Sequence, residues 1–395
     1  MKNFVFISPN FPENYWKFCK KLQENGFNVL GIGDCPYENL TDEVRNSVNE
    51  YYRVSCLENY EEVYRAVAFF IFKYGKIEFL ESNNEYWLER DALLRTEFNI
   101  NTGFRLKDVK KIKYKSQMKK YYAKAGVPTA AYCLVKTLKG CEKFIAEVGY
   151  PVIVKPDNGV GANDTRKINS QAELYDFFQN RQPVQYIMEE YVDGEVVTYD
   201  AIVDSQGNPL FETGNVTPTS LMDVVNGNGN SLFYIVDKPF EDVCDAGRRT
   251  LTAFGVKRRF VHFEFFRLNS DQRIGKKGDI VALEVNMRPS GGISPDMMNY
   301  ANSTDVYKIW ADMIAYDSTL TLCGERFYCA FAGRRDGKTF YYTDAEICQM
   351  YAENIKLTGR VPDALSPAMA NVMYIAAFKT GKELEKFYSD ILKTI

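Results

Sequence analysis

The sequence has a single histidine, His262, among 395 residues. A Ser-His-Asp or Cys-His mechanism would have to use that residue, and no Gly-x-Ser-x-Gly motif accompanies it, so hydrolase chemistry of those kinds is not expected. A multi-histidine metal centre is impossible within one chain. The nine cysteines form no Cys-x-x-Cys pair. This spacing argues against a zinc site or a disulfide framework and predicts reduced thiols in a cytoplasmic protein.

Long apolar runs and an excess of one charge are also missing. No stretch approaches the roughly 18 consecutive apolar residues that a membrane-spanning helix needs. The net charge is −3, from 49 basic and 52 acidic residues. It therefore indicates neither nucleic acid nor a membrane as a partner. The opening apolar run, residues 4–7, is too short for a signal peptide and reads as a strand.

The length predicts two to four lobes. The first hundred residues alternate between short apolar runs and helical patterns, which is typical of a parallel sheet with helices on its faces. No Gly-x-Gly-x-x-Gly follows the first strand, so a dinucleotide site is not indicated there. A basic segment, 107–120, then leads into a helix that stops at Gly126-Val127-Pro128. Residues 132–187 alternate strands and helices again, and residues 185–286 are richer in strands.

A lysine followed by a small-residue loop ends the apolar strand at 150–156. Lys155 could supply a positive charge for a phosphate, and Gly159 and Gly161 let backbone amides approach an anion closely. The alternative is an ordinary glycine-containing turn with a solvated lysine.

Two strands carry pairs of polar side chains at alternate positions. His262 and Glu264 share a face of one strand, and Glu284 and Asn286 share a face of the next. A turn at 269–278 would join the strands as an antiparallel hairpin and bring the two glutamates opposite each other.

Opposed like charges are destabilising, and a cation between them would remove the repulsion. Carboxylate and amide oxygens are ligands that suit Mg²⁺. Arg288 continues the second strand and offers a fork for a phosphate or carboxylate. The alternative pairs the carboxylates with Lys257, Arg258 or Arg259 at a solvent edge, and His262 is equally consistent with a structural role.

The segment from Met188 to Glu195 leaves a strand and turns at Asp193-Gly194. Such a segment can offer backbone groups to an adenine edge and a carboxylate to ribose hydroxyls. The alternative is an acidic linker between lobes.

Taken in chain order, four pieces resemble the ATP-grasp superfamily over about residues 107–302: Lys155 with its glycine loop, the segment from Met188 to Glu195, the strand of Glu264 and the strand of Glu284. The segment from Glu284 to Gly292 resembles the branch of carbamoyl-phosphate synthases and amino-acid ligases. The resemblance implies an α/β protein with the ATP-grasp fold: an N-terminal βαβ parallel-sheet domain, two lobes that clasp ATP, and a small mixed C-terminal region. The corresponding boundaries are 1–106, 107–186, 187–310 and 311–395.

Carried over by position, the resemblance assigns a role to each motif residue. Lys115 and Lys155 would contact ATP phosphates beneath the loop of Gly159 and Gly161, and His262 keeps an open role. The remaining assignments are Glu189, Glu190 and Val192 at the adenine, Glu195 at the ribose, Glu264, Glu284 and Asn286 as ligands of Mg²⁺ (or Mn²⁺), and Arg288 at the phosphate and the intermediate.

The implied activity is that of an ADP-forming ligase. Mg-ATP would phosphorylate a small carboxylate, and an amine would displace phosphate from the acyl phosphate. The expected partners are these two small molecules, and a homodimer is common among such proteins. Two alternatives remain: a bicarbonate-phosphorylating enzyme of the carboxylase or carbamoyl-phosphate type, and an ATP-binding module without turnover.

Overall fold

A computed structural model describes residues 1–159, 164–218 and 229–395. Its N-terminal part is a parallel sheet in the strand order β3-β2-β1-β4, with helices on its faces. All five residues of β1 are buried, as expected for a strand covered on both sides. The elements are β1 (Asn3–Ile7), α1 (Trp16–Glu24), β2 (Asn28–Gly33), α2 (Asp42–Ser47), β3 (Glu50–Arg53), α3 (Tyr60–Tyr74), β4 (Ile77–Glu81) and α4 (Leu88–Glu97).

The next part is a smaller antiparallel sheet in the order β5-β8-β6-β7, preceded by two helices. The basic segment at 107–120 spans both of these helices rather than forming one, and the break falls at Tyr114. The elements are α5 (Leu106–Lys113), α6 (Lys115–Ala125), β5 (Tyr132–Leu134), α7 (Leu138–Val148), β6 (Val152–Pro156), β7 (Arg166–Ile168), α8 (Gln171–Asn180) and β8 (Tyr186–Glu190).

A large antiparallel sheet forms the rest of the protein. Its described strands run in the order β14-β13-β9-β11-β12-β15-β17-β16, with β10 paired to β9. The elements are β9 (Gly194–Val203), β10 (Pro209–Thr213), β11 (Asn215–Thr217), β12 (Ser231–Ile235), α9 (Glu241–Phe254), β13 (Arg259–Leu268), β14 (Ile280–Asn286), α10 (Ser294–Asn302), α11 (Val306–Tyr316), β15 (Tyr328–Arg334), α12 (Asp344–Met350), β16 (Ile355–Arg360), α13 (Ser366–Met369), β17 (Val372–Phe378) and α14 (Gly381–Leu392).

The parts are joined by a shared aromatic core. Phe18 of α1 packs edge-on against Trp310 of α11, with ring centroids 5.0 Å apart, and Phe4 of β1 packs against the same indole at 5.7 Å. These rings bury a large apolar area where the N-terminal sheet meets the large sheet. The predicted α/β class, with a parallel N-terminal sheet, is confirmed. Among the helices that the structure describes, none has the length and hydrophobicity required to span a membrane.

Candidate active site

Four polar side chains share one face of the hairpin that β13 and β14 form. The strands are antiparallel, with His262 opposite Asn286 and Glu264 opposite Glu284. Phe263 lies between the two polar residues of β13 and is fully buried in the core on the other face, as the two-residue period of a strand requires. The structure therefore brings the two glutamates together as the hairpin interpretation expected.

His262 is held between two carboxylates. Its Nδ1 lies 2.8 Å from Oδ1 of Asp200, on the neighbouring strand β9, and its Nε2 lies 3.2 Å from Oε1 of Glu264. Burial favours the neutral ring, but the charge and hydrogen bond of Asp200, aided by Glu264, outweigh it and raise the pKa of His262 to about 9. The ring is therefore an imidazolium near neutral pH, and both nitrogens donate.

Glu264 and Glu284 are neutralised by different cations. Glu264 receives the hydrogen bond from His262, whereas Oε1 of Glu284 accepts from Nζ of Lys115 at 3.0 Å. Burial alone would raise the pKa of Glu264, but His262, with the charges of Arg288 and Lys115, lowers it. Both carboxylates are thus paired, and not with the Lys257–Arg259 segment: Arg259 pairs with Glu81 and Arg258 with Asp317.

Lys155 is buried in a second cluster. Its Nζ lies 2.6 Å from Oε2 of Glu189, and Lys119 pairs with the other oxygen of that carboxylate. Burial would raise the pKa of Glu189, but the two ammonium groups lower it to about 2. The pKa of Lys119 is lowered, because burial and the charge of Lys155 together outweigh the attraction of Glu189. Lys155 is therefore not the solvated lysine of an ordinary turn.

A side-chain bridge brings the two predicted phosphate-binding lysines close together. Asp157, just after β6, accepts from the backbone N–H and the hydroxyl of Ser116, both at 2.7 Å, and its carbonyl accepts from the N–H of Lys115 at 2.9 Å. These bonds satisfy free donors at the start of α6. They also fix Lys115 beside the strand that ends in Lys155.

The predicted adenine segment is a strand for longer than expected. Strand β8 continues through Glu190, so the two glutamates lie within a sheet and do not form a linker. Glu190 pairs with Arg273 and accepts from the N–H of Ala131 at 2.6 Å. Val192 is buried just beyond the strand.

The residue predicted at the ribose and the glycines predicted at the phosphates lie in different parts of the fold. Glu195 lies at the start of β9, opposite Arg267. Burial raises the pKa of Glu195, and Arg267 partly opposes this. The carbonyl of Gly159 accepts from Nζ of Lys115 at 3.1 Å. Gly161 lies outside the described residues.

Arg288 follows β14 and bridges the hairpin to the N-terminal sheet. One guanidinium nitrogen donates to the carbonyl of Pro289 at 2.7 Å, and another lies 3.4 Å from Oδ1 of Asn286. Its Nε is 3.8 Å from Oε2 of Glu85. The guanidinium thus stands next to the predicted metal ligands at the junction of the two sheets.

The side-chain oxygens of the hairpin fit Mg²⁺ as one part of its ligand shell. In the described part of the chain, no group of three or more histidine, cysteine, aspartate or glutamate side chains is arranged to hold a metal ion. Glu264, Glu284 and Asn286 instead offer two carboxylates and one amide on adjoining strands. Mg²⁺ commonly takes one or two carboxylates and completes its shell with water and substrate phosphates. The set suits a metal ion that arrives with a nucleotide.

Sequence reasoning did not include three residues of this region. Lys119 lies one helical turn after Lys115, so the i, i+4 spacing places both on one face of α6. Asp200 lies in a strand with alternating polar and apolar residues, and this pattern is also a usable signal. Glu85 lies in a loop without periodicity, and nothing in its neighbourhood predicts its approach to Arg288.

Comparisons with known proteins identify the family of this region. Residues 111–226 match the family model for the carbamoyl-phosphate synthase L chain, ATP binding domain. The chain contains an ATP-grasp domain. Two curated relatives align at low identity. The carbamoyl phosphate synthase large chain of Caldanaerobacter subterraneus subsp. tengcongensis is 22% identical over 208 residues, which are 51% of this chain and 18% of that protein.

The second relative is the L-arginine-specific L-amino acid ligase of Bacillus subtilis, which is 23% identical over 242 residues. That alignment spans 58% of this chain and 56% of the ligase, so the chain matches only part of the length of either relative. The predicted resemblance to the ATP-grasp superfamily, within the branch of synthases and amino-acid ligases, is confirmed.

Solved structures extend the likeness to nearly the whole fold. The L-amino acid ligase from Bacillus licheniformis superposes with a TM-score of 0.71 at 15% identity, covering 99% of this chain and 97% of that one. The biotin carboxylase domain of the Hydrogenobacter thermophilus 2-oxoglutarate carboxylase, in complex with MgADP, ADP and bicarbonate, gives 0.72 at 14% identity, covering 99% and 90%. The chain has the ATP-grasp fold.

Proposed function

We propose that this protein is an ADP-forming carboxylate–amine ligase that uses Mg-ATP. The observation that carries the proposal is the opposed pair Glu264 and Glu284, with two buried lysines, Lys115 and Lys155, nearby. An acidic pair that accepts a metal ion and lysines that contact phosphates are the two charge elements required for phosphoryl transfer. The proposal is supported by the contacts of Lys115, which bonds to Gly159 beside the small sheet and to Glu284 of the large sheet.

The nucleotide would lie between the two sheets. Lys115 and Lys155 would exchange their glutamate partners for the β- and γ-phosphates, and the glycines 159 and 161 would allow backbone amides to approach the same oxygens. The adenine would meet the end of β8, at Glu189, Glu190 and Val192, with the ribose hydroxyls at Glu195. The carboxylase domain that shares the fold was solved in complex with MgADP, which supports the binding of Mg-nucleotide by this fold.

The metal would be held by Glu264, Glu284 and Asn286. When bound, Mg²⁺ (or Mn²⁺) supplies positive charge to the β- and γ-phosphates as negative charge shifts during transfer. His262 would keep Glu264 oriented through its charged hydrogen bond. Asp200 would in turn hold the imidazolium.

The reaction would proceed in two steps. A carboxylate oxygen of the first substrate attacks the γ-phosphorus, and the bond to the β–γ bridging oxygen breaks, which gives an acyl phosphate and ADP. The amine of the second substrate then attacks the acyl carbon. The C–N bond forms, phosphate leaves, and the amine nitrogen loses a proton to solvent. Arg288 would bind the reacting carboxylate and stabilise the charge on the transferring group.

The amine acceptor is favoured by two of the similar proteins. The L-arginine-specific L-amino acid ligase gives the longer of the two sequence alignments. The second protein, the L-amino acid ligase of known structure, superposes over nearly all of this chain. A homodimer is part of the proposal, because the carboxylase domain with this fold is a dimer.

Bicarbonate as the phosphorylated acid is the second candidate. It is favoured by the family model, which describes a carbamoyl-phosphate synthase domain, and by the bicarbonate in the carboxylase complex. The two candidates differ in one observable: bicarbonate would support ADP release without any amino acid.

The test is ADP release from Mg-ATP by the purified protein. Amino acids are supplied singly and in pairs, with and without bicarbonate. Glu284→Gln removes the negative charge of one proposed metal ligand, and Glu89→Gln, at an exposed position on α4, is the matched control. Turnover with particular pairs that survives only in the control variant supports the ligase. Turnover with bicarbonate alone establishes the second candidate, and ATP binding without ADP release under every condition rejects both.

A further inference from the structure

Two chain segments join the small sheet to the rest of the protein, and both lie against the β13–β14 hairpin. The first connection, residues 126–131, leads from α6 into β5, and one of its carbonyls accepts from the N–H of Ala282 in β14 at 2.8 Å. The second connection, residues 191–193, leads from β8 into β9. Its last carbonyl accepts from the N–H of Asn269, in the turn between β13 and β14, at 3.1 Å. One hairpin therefore supports both connections.

A small apolar cluster fills the space between the two connections and the hairpin. Its buried members are Ala130 and Val192, one from each connection, with Leu268 and Val281 from the hairpin strands. Val192 is also one of the residues placed at the adenine in the proposed function. The segment proposed to meet the base therefore packs on the hairpin that carries the proposed metal ligands.

Gln272, in the hairpin turn, bonds to the second connection through both ends of its side-chain amide. Its Oε1 accepts from the N–H of Asp193 at 2.9 Å, and its Nε2 donates to the carbonyl of the same residue at 2.6 Å. A backbone N–H can only donate and a carbonyl can only accept, so the orientation of the amide is fixed. These two bonds hold the end of the second connection in place.

Arg273, the next residue of the turn, binds the carboxylate of Glu190 at the start of the second connection. Its Nε donates to Oε2 at 2.9 Å, and its Nη2 lies 2.7 Å from Oε1. Oε1 also accepts from the N–H of Ala131, in the first connection, at 2.6 Å. A bidentate pair of arginine and carboxylate adds geometric specificity to its strength. The carboxylate thus ties both connections to the hairpin turn.

Arg273 lies on the side of β8 opposite to the proposed phosphate site. Successive side chains of a strand point to opposite faces. Glu189 meets Lys119 and Lys155 on one face, and Glu190 meets Arg273 on the other. Arg273 therefore acts on a bound nucleotide through the position of the second connection.

The two residues between these contacts keep their backbone groups free. Among the described residues, neither Tyr191 nor Val192 makes a backbone hydrogen bond, although Val192 is buried. Buried backbone groups in folded proteins are nearly always paired. This stretch therefore offers a ligand both donors and acceptors, and its two ends are fixed by Arg273 and Gln272.

We propose that Arg273 and Gln272 are positioning residues for the nucleotide base, because they hold residues 190–193 in the conformation whose free backbone groups meet it. This inference rests on the proposed function, which places the adenine at this segment. The base and the metal ion are then held by the two ends of one hairpin. Loss of the pair between Arg273 and Glu190 weakens the contribution of the base to binding and leaves the phosphate contacts intact.

The test separates the base from the phosphates by direct binding measurements on the purified full chain. Isothermal titration in the presence of Mg²⁺ gives the Kd for a non-hydrolysable ATP analogue and the Kd for inorganic tripolyphosphate, which has no base. In Arg273→Met, the Kd for the ATP analogue is expected to rise at least about tenfold and that for tripolyphosphate less than about twofold, since hydrogen bonds to a charged group are lost only at the base.

Three further variants sharpen the comparison. Arg273→Lys keeps the charge without the bidentate geometry and is expected to recover part of the lost affinity. Gln272→Ala, which removes the second contact, is expected to raise the Kd for the ATP analogue and leave that for tripolyphosphate unchanged. Lys276→Met is the matched control, because Lys276 lies in the same turn and pairs with the exposed Asp271. Retained binding of tripolyphosphate shows that each variant is folded.

Steady-state kinetics gives an independent readout where ADP is released. The KM for ATP should rise in Arg273→Met at least about tenfold with little change in kcat, because a contact to the base is shared by the ground state and the transition state. A residue whose variant binds the ATP analogue as the wild type does has no positioning role. A Kd that rises equally for both ligands overturns the inference for both residues.

Failure of the proposed ligase is a different outcome. It shows as a wild type that binds the ATP analogue but releases no ADP with any acid and amine, and the binding comparison then decides the inference without turnover. A wild type that binds tripolyphosphate as tightly as the ATP analogue has no contribution from the base, which overturns the inference. Absence of binding of either ligand overturns the inference and the proposed function together.

Discussion

Lys115 and Glu284 form a partly buried ion pair in which Nζ lies 3.0 Å from Oε1. The pair joins the first residue of α6 to the face of β14 where the metal ion is proposed to bind. In the proposed function these two side chains separate, because the lysine moves to a phosphate and the carboxylate to Mg²⁺. Lys115 and the metal ion are therefore competitors for one carboxylate until the nucleotide arrives.

This competition predicts a gain of metal affinity in a variant that loses the lysine. Without ATP, Lys115→Met is expected to bind Mn²⁺ at least about tenfold more tightly than the wild type, because a nearby positive charge has been removed. ADP release should fall by at least about 100-fold, since a phosphate contact is also lost. Titration with Mn²⁺ followed by electron paramagnetic resonance measures the affinity. Unchanged or weaker binding would separate Glu284 from the metal site.

Glu189 predicts a pH dependence of stability. Its pKa is lowered to about 2 in the folded protein, against about 4.3 for an unperturbed glutamate. Its contribution to the free energy of unfolding is therefore full above about pH 5, and it is lost as the pH falls through 4 toward 2. Glu189→Gln should destabilise the protein at pH 7 by about 2–4 kcal/mol.

Urea unfolding at a series of pH values measures this difference. It should shrink progressively from pH 5 toward pH 2, because the carboxylate becomes protonated near pH 4 in the unfolded protein and only near pH 2 in the folded protein. A difference that is the same at pH 7 and pH 3 would mean that the lost charge is not its source. Glu147→Gln, at an exposed position on α7, is a comparison for general acid effects.

The sequence allowed the hairpin site to be predicted because its contacts are nearly local. A turn of fixed length and a two-residue period are enough to place Glu264 opposite Glu284. The cations that neutralise them come from elsewhere in the chain: Lys115 is 169 residues from its partner. Asp200, whose carboxylate raises the pKa of His262, lies 62 residues from that histidine.

Contacts of that kind depend on how the sheets pack, and periodicity within one element carries no information about them. The same reasoning explains why β8 runs through Glu190, two residues beyond the end expected at Met188. In a hydrophobicity pattern, two adjacent charged residues after an apolar run predict the end of a strand. Here each one meets a separate set of cations inside the protein, Lys119 and Lys155 for the first and Arg273 for the second.

Gly247 allows α9 to pack closely against Tyr199 of β9, the strand that carries Asp200. A Cβ atom on Gly247 would lie 2.3 Å from the ring of Tyr199, which precedes Asp200 in β9. Gly247→Ala should therefore destabilise the protein by about 2 kcal/mol or more, despite the higher helix propensity of alanine. Thermal unfolding measures the loss. Gly381→Ala, in α14 with open space around the same position, should be neutral or slightly stabilising, and equal effects of the two would rule out the steric explanation.

Lys119, one helical turn after Lys115 on α6, predicts an effect on ATP binding. It shares the carboxylate of Glu189 with Lys155. In Lys119→Met, Lys155 is the one ion-pair partner left to Glu189 among the described residues. Lys155 is then held more strongly and is less free to bind a phosphate. The KM for ATP should rise about tenfold, which corresponds to about 1.4 kcal/mol, with a smaller change in kcat. Lys120→Met is the matched control, because Lys120 is exposed and its one side-chain hydrogen bond within the described part of the chain is to Gln117. Steady-state ADP release at saturating acid and amine gives both constants. An unchanged KM in Lys119→Met, with kcat also unchanged, would mean that Lys155 is not limited by its glutamate and would remove Lys119 from the site.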